Sequence, residues 1–277
     1  MTLDGKDMSA PVAVEQHYST GLTRANIERA LIGAGKDPAA LEPADLAALE
    51  DFHTMGRVAT AALAQLAEVG PDDRVLDAGT GIGGAARFLA DQIGCRVTAV
   101  DLTAEYCEAA SWLNRCVHLD HMIDVRQADV LELPFEDASF DVLLSQHVQM
   151  NIADKDRLYR EARRVLAAGG RLALWDMVAG AQQPIRFPVP WAVEPELSHL
   201  VTAQELRSIT ASAGLHVRAW NDLTEPAIAA MDALLAAPPS ALGLHVFVAD
   251  LQLKAANMVE NLRENRTRLV QAVLVAC

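Results

Sequence analysis

The chain has 277 residues, 51% of them hydrophobic and 22% charged, so it can build a sizeable core and is too apolar for intrinsic disorder. Its formal charge of −14 at pH 7 disfavours DNA, RNA and anionic membranes as partners, because like charges repel. The four cysteines, Cys95, Cys107, Cys116 and Cys277, have neither disulfide-framework nor metal-ligand spacing; no metal site is expected and a reducing cytoplasm suits them.

Residues 1–10 read as a loose polar tail without the basic and apolar regions of a secretory signal. No run of about 18 apolar residues marks a transmembrane helix. Residues 11–70 read as helical: Ala25 to Ala34 and Met55 to Val69 carry apolar positions at helical spacing, and Gly70-Pro71 ends the second run. From residue 74 short valine- and leucine-rich runs alternate with helical stretches. Strands are expected at Arg74–Ala78, Arg96–Val100, Ile123–Gln127, Phe140–Ser145 and Arg171–Trp175, with helices near 84–93, 104–119 and 155–167. This alternation predicts an α/β fold, a doubly wound and mostly parallel sheet whose ligand sits at the carboxyl ends of the strands. Residues 179–201 break the rhythm with Pro184, Pro188, Pro190 and Pro195; such an irregular insertion after a strand end reads as a lid. Beyond it come a helix near 202–213, a strand near 215–220, helices near 225–236 and 246–264, and an apolar run over Leu269–Ala276.

The first chemical signal is the strand end Asp77 followed by Gly79, Gly81, Gly83 and Gly84 at the start of a helix. Glycines let the backbone approach a ligand, and the helix start offers free N–H groups. Gly79-x-Gly81-x-x-Gly84 also satisfies the dinucleotide fingerprint, so the glycines alone leave two nucleoside cofactors open. Asp101 closes the next strand, where a carboxylate can accept from a ribose diol. Asp129 closes the third, where it can accept from an adenine amino group beside the backbone of Val130.

In order, VLDAGTGIGG, VTAVDLT, QADVLELPFEDASFDVLLSQ and REARRVLAAGGRLALWD resemble the motif set of class I S-adenosylmethionine-dependent methyltransferases. The resemblance covers about residues 70–176. It implies a seven-stranded Rossmann-like sheet whose last strand, here Arg268–Ala276, runs antiparallel between the fifth and sixth. His17-Tyr-Ser19, Gly35-Lys-Asp37 and Asp51-Phe-His-Thr-Met-Gly-Arg57 are similar to the subgroup of sarcosine/dimethylglycine methyltransferases and related small-molecule enzymes. That implies an N-terminal helical cap over 1–70 and a cofactor domain over 71–277 with its lid at 179–201.

By this resemblance Asp77, Gly79 and Gly81 line the methionine end of S-adenosylmethionine. Asp101 takes the ribose, Leu102 the adenine face, and Asp129 and Val130 the adenine edge. Gln146 sits near the sulfonium, and Tyr18 and Arg57 approach from the cap, with Arg57 suited to the cofactor's carboxylate. The products are S-adenosylhomocysteine and a methylated small molecule: an amino-acid-like amine, a phenol or a natural product, at N or O.

In-line displacement asks the protein mainly for positioning and exclusion of water. His147 is the leading base, with His53 and His199 further choices. Related enzymes often carry a histidine where this chain has Asn151, so proximity alone is a competing mechanism. Asn151, Trp191, Phe187, His199 and Asp176 are the expected acceptor-side residues. Trp191 and Phe187 either wall the substrate or pack the lid, and Asp176 either faces a cation or caps the turn. An NAD-dependent oxidoreductase and a non-catalytic S-adenosylmethionine-binding protein are the rival readings; no Tyr-x-x-x-Lys motif supports the first. A cytoplasmic monomer or homodimer is expected.

Overall fold

The computed structural model describes residues 10–50, 52–238 and 240–277. The expected loose tail falls on residues 1–9, which with Asp51 of the cap motif lie outside the described residues; Ala10 already belongs to a helix.

The residues expected to form the cap carry α1 (Ala10–Tyr18), α2 (Thr23–Gly33), a short turn of 3-10 helix continuing into α3 (Ala47–Glu50), and α4 (Gly56–Leu66). The sheet and its helices follow: β1 (Arg74–Ala78), α5 (Gly84–Phe88), β2 (Arg96–Asp101), α6 (Ala104–Cys116), β3 (Ile123–Gln127), β4 (Phe140–Gln146), α7 (Lys155–Val165), β5 (Leu166–Ala179), α8 (Ala203–Ser212), β6 (Leu215–Asp222), α9 (Thr224–Ala236), α10 (Leu251–Arg263) and β7 (Thr267–Ala276). The strands lie in the order β3-β2-β1-β4-β5-β7-β6. All neighbours pair in parallel except β7, which is antiparallel to both β5 and β6. The expected seven-stranded, mostly parallel sheet is therefore present.

Strand alternation sorts the core onto two faces. Val75, Val97, Val142, Ala173 and Val273 point to α4, α5, α9 and α10. Leu76, Val100, Leu143, Leu172 and Leu274 point to α7 and α8. Each helix reads as a stripe; α7 buries Lys155, Leu158, Tyr159, Ala162 and Val165 and is capped by Asp154, which accepts from Arg157 N at 2.9 Å. A third cluster joins the cap to α6 through Ile27, Leu31, Leu46 and Leu49 against Tyr106, Trp112 and Leu113.

Three boundaries differ from the sequence expectation. β5 is much longer than Arg171–Trp175, because β7 offers it ladder partners as far as Ala179 opposite Thr267. The helix after β1 passes into a π-helical turn at Leu89–Ile93. The expected 246–264 helix begins only at Leu251, after a 3-10 turn at Leu244–Val246. Residues 179–201 are largely irregular as expected, with isolated bridges between Ala179 and Thr202 and between Val189 and Ala192 and a single 3-10 turn at Pro195–Leu197.

Candidate active site

β1 is flanked by β2 on one side and β4 on the other, so the chain reverses its direction of winding beside β1. Loops leaving the carboxyl ends of such neighbours diverge and open a crevice. A cavity of about 1020 Å³, its open mouth included, lies there.

The glycine turn forms one wall. Gly79 N and Thr80 N donate to Val100 O at 2.8 and 2.9 Å, and Gly81 N donates to Asp101 Oδ2 at 2.8 Å. Gly79 has φ +83°, and a Cβ there would stand 2.3 Å from Val148 Cγ2. Gly81 has φ +55° and open space where a Cβ would point, so the turn leaves its backbone bare to the cavity. Asp77 accepts from Thr80 Oγ1 at 2.6 Å. Asp101 also accepts from Thr103 N at 2.9 Å. Enclosure by protein raises its carboxyl pKa, and the Thr103 and Gly81 hydrogen bonds offset part of that rise. Asp129 accepts from Leu131 N at 2.9 Å. Asp77, Gly79, Gly81, Asp101, Leu102, Asp129, Val130 and Gln146 all line the cavity. Gln146 Oε1 accepts from Thr60 at 3.3 Å, while its buried Nε2 has no partner.

The opposite wall comes from the cap, the loop after β4 and the lid. Tyr18, His53, His147, Asn151 and Trp191 line it. Tyr18 OH donates to Asn151 Oδ1 at 2.8 Å, and Asn151 Nδ2 donates to Trp191 O at 2.8 Å and Leu197 O at 3.0 Å. One amide thus ties cap, loop and lid together. His147 takes the left-handed conformation, φ +55°, and its ring lies 6.3 Å from that of His53, centroid to centroid. Enclosure, and secondarily His53, pull the His147 imidazole down to about 3, so it is unprotonated at neutral pH. His53 Nε2 lies 3.2 Å from Thr60 Oγ1.

Four expected residues stand elsewhere. Arg57 does not line the cavity: its guanidinium pairs at 2.6 Å with the buried Glu50, which also holds the fully buried Arg87 at 2.6 Å. Asp176 is fully buried and does not line the cavity. Its carboxylate accepts from Val148 N and Gln149 N at 3.0 Å each and from Met177 N at 2.8 Å, so it caps the turn carrying His147. Burial raises it to about 6 against those N–H groups and Lys155. Phe187 packs into the core beneath the lid rather than walling the cavity. His199 acts through its peptide: its N–H donates to Met150 O at 2.7 Å and its carbonyl accepts from Lys155 Nζ at 2.7 Å. Trp191 is wholly buried and both packs the lid and lines the cavity.

Sequence reading missed Phe52, Tyr106, Met150 and Pro190, which also line the cavity. Tyr106, in the first turn of the helix after Asp101, is the one with a recognisable position. It also missed the Glu50–Arg87 pair and Glu105. The Glu105 carboxylate takes Ser19 Oγ at 2.7 Å, Thr20 N at 2.9 Å, Gly21 N at 2.8 Å and Thr23 N, anchoring the start of α2. Burial pulls Glu105 up, but the bonds from Thr23, Ser19 and Gly21 win and hold it at about 2. Among the described residues no His, Cys, Asp and Glu cluster suits a metal, and no helix is long and apolar enough to cross a membrane.

Comparison with known proteins gives a consistent result. Residues 76–174 match the family model described as a methyltransferase domain. The chain is similar to the 27-O-demethylrifamycin SV methyltransferase of Amycolatopsis mediterranei, at 30% identity over 72% of this chain and 67% of that protein. It is also 39% identical to the sarcosine/dimethylglycine N-methyltransferase of Halorhodospira halochloris over 39% of each protein. It spans only 23% of the glycine/sarcosine/dimethylglycine N-methyltransferase of Actinopolyspora halophila, at 34% identity over 47% of this chain. In fold it matches the geranyl diphosphate C-methyltransferase of Streptomyces coelicolor, with TM-score 0.69 and 19% identity over 98% of this chain and 100% of that one.

Proposed function

Since the chain belongs to the S-adenosylmethionine-dependent methyltransferase family, we propose that it methylates a hydroxyl or amine of a small molecule held beneath the cap and lid. The observation that carries this reading is the division of one cavity into two ends. One end has the glycine turn and three strand-end carboxylates, Asp77, Asp101 and Asp129; the other has two imidazoles in an aromatic chamber.

The first end fits the methyl donor. S-adenosylmethionine carries a sulfonium, an ammonium and a carboxylate, and so a net positive charge. Among the described lining residues there are carboxylates but no lysine or arginine, a charge pattern that suits such a ligand and opposes the pyrophosphate of NAD. When bound, this cofactor supplies a methyl group on a positively charged sulfur. Asp101 would hold the ribose hydroxyls, Leu102 the adenine face, and Asp129 with the Val130 backbone the adenine edge. Asp77, Gly79 and Gly81 would hold the methionine end, and Gln146 Nε2, otherwise without a partner, would donate near the sulfur.

The second end would hold the acceptor. The cap, residues 1–70, and the lid, residues 179–201, serve as its covers, excluding water. His147 accepts a hydrogen bond from the nucleophile and orients it. Its low basicity matters only before transfer: positive charge that appears on the acceptor makes the imidazole the nearest place for a proton. His53 is placed to support that ring.

Calorimetry with S-adenosylmethionine and NAD in parallel, followed by transfer from methyl-labelled cofactor, tests this. Binding of S-adenosylmethionine alone is expected; binding of NAD alone would overturn the reading.

A further inference from the structure

The acceptor end is walled by Val14, Phe52, Met150, Ile152, Pro190 and Trp191. Among the described residues no lysine or arginine lines it. Arg57, Lys155 and the buried Lys254 on the surrounding elements do not line it. Arg57 is paired with Glu50, and the Lys155 ammonium, almost fully buried, donates to the carbonyls of Gln149, Ile152 and His199.

Most of the polar groups that reach this end are already used in closing it. The Tyr18 hydroxyl and the Asn151 amide are spent on each other and on the lid, and the Trp191 indole N–H donates to Ser198 Oγ at 3.0 Å. The His147 imidazole remains: its Nε2 contact with Thr54 Oγ1 is long at 3.4 Å, so a better-placed donor can displace it. The left-handed backbone of His147, held from behind by Asp176 through the next two N–H groups, aims this ring into the chamber.

Resting on the methyl-transfer reading above, we propose that the acceptor is an uncharged, largely apolar molecule that presents a hydroxyl, and that His147 receives the hydrogen bond of that hydroxyl. A carboxylate or phosphate leaving water for this chamber finds no lysine or arginine among the described lining residues, and it meets three carboxylates further along the same cavity. An ammonium finds no carboxylate at this end and must stand beside the positive sulfur of the donor. A hydroxyl needs only an acceptor, which a neutral imidazole provides. In the transfer the new carbon–oxygen bond forms as the carbon–sulfur bond breaks, the bonding pair stays on sulfur, and the hydroxyl proton passes to His147 and then to solvent, leaving a methyl ether. Zwitterionic amines such as sarcosine are excluded on the same charge argument.

The test is calorimetric and uses the full chain saturated with S-adenosylhomocysteine. The probes are alkylphenols and long-chain alcohols, each paired with an analogue bearing a terminal carboxylate, together with sarcosine. At least one neutral hydroxyl compound is expected to bind about ten-fold more tightly than its carboxylate partner, with sarcosine not binding. His147→Ala should weaken that neutral ligand while leaving the affinity of its methyl ether unchanged. Equal or tighter binding of the carboxylates or of sarcosine, or no binding of any neutral hydroxyl compound, overturns the proposal. Failure to bind S-adenosylhomocysteine at all would instead overturn the methyl-donor reading.

Discussion

Replacing Asp176 by Asn probes the turn that carries His147. The carboxylate is fully buried and accepts from three backbone N–H groups, those of Val148, Gln149 and Met177. A carboxamide has one oxygen, so whichever way it is turned an NH2 faces an N–H; losing such a bond costs about 1–3 kcal/mol. The charge itself has a cost that Asn lacks. Burial raises the Asp176 carboxyl from 3.8 to about 6, equivalent to about 3 kcal/mol at roughly 1.36 kcal/mol per pH unit.

Because the folded value lies above the unfolded one, the contribution of Asp176 to stability is fully present below 3.8, declines as pH rises through that window, and is level above about 6. Lys155, lowered to about 8 by burial against the pull of Asp176, keeps its charge across that window. The stability advantage of the wild type over Asp176→Asn should therefore shrink by about 2 kcal/mol between about pH 4.5 and about pH 7. Urea unfolding of both proteins at the two pH values measures it. A gap that is the same at both, or that widens toward neutrality, would refute the assignment of a buried, titrating carboxylate beneath the His147 turn.

Other substitutions separate the remaining roles. His147→Ala should lower turnover about 10²-fold with cofactor affinity unchanged; unchanged turnover in a labelled-methyl assay removes it from the chemistry. Gly79→Ala places a methyl 2.3 Å from Val148 at φ +83° and should cost about 1–3 kcal/mol of stability together with cofactor affinity, read by thermal unfolding and calorimetry. Glu50→Gln leaves the Arg87 guanidinium buried without its counter-charge and should destabilise by about 3–5 kcal/mol; a loss below about 1 kcal/mol in chemical unfolding would show the pair is dispensable. Glu105→Gln should loosen the start of α2, by about 1–3 kcal/mol, seen as faster proteolysis near residues 19–23. Since the Glu105 value is depressed from 4.5 to about 2, the anchor is fully present above 4.5 and should be lost as pH falls from there through about 2.

Much of this protein is decided by residues close together in the chain. Valine-rich runs alternating with helical stripes, Gly79 and Gly81 at positive φ, and the strand-end positions of Asp77, Asp101 and Asp129 follow from side-chain period and turn chemistry. Those rules act over a few residues, so the alternating strands and helices and the glycine turn were legible without coordinates, while the antiparallel last strand followed from the resemblance to a known family.

The end lined by His53, His147, Asn151 and Trp191 was not, because its side chains are placed by partners far away along the chain. Arg57 looked like a ligand for a carboxylate until Glu50, seven positions away but buried beside Arg87, claimed it. Asp176 could equally face a cation or cap its turn, and the N–H groups of the β4 loop turned onto it make it a cap. Asn151 joins Tyr18, 133 positions before it, to Trp191, 40 positions after it, and no periodicity announces such a contact. A buried polar group must find a partner wherever the fold supplies one, and only the tertiary structure determines which partner that is.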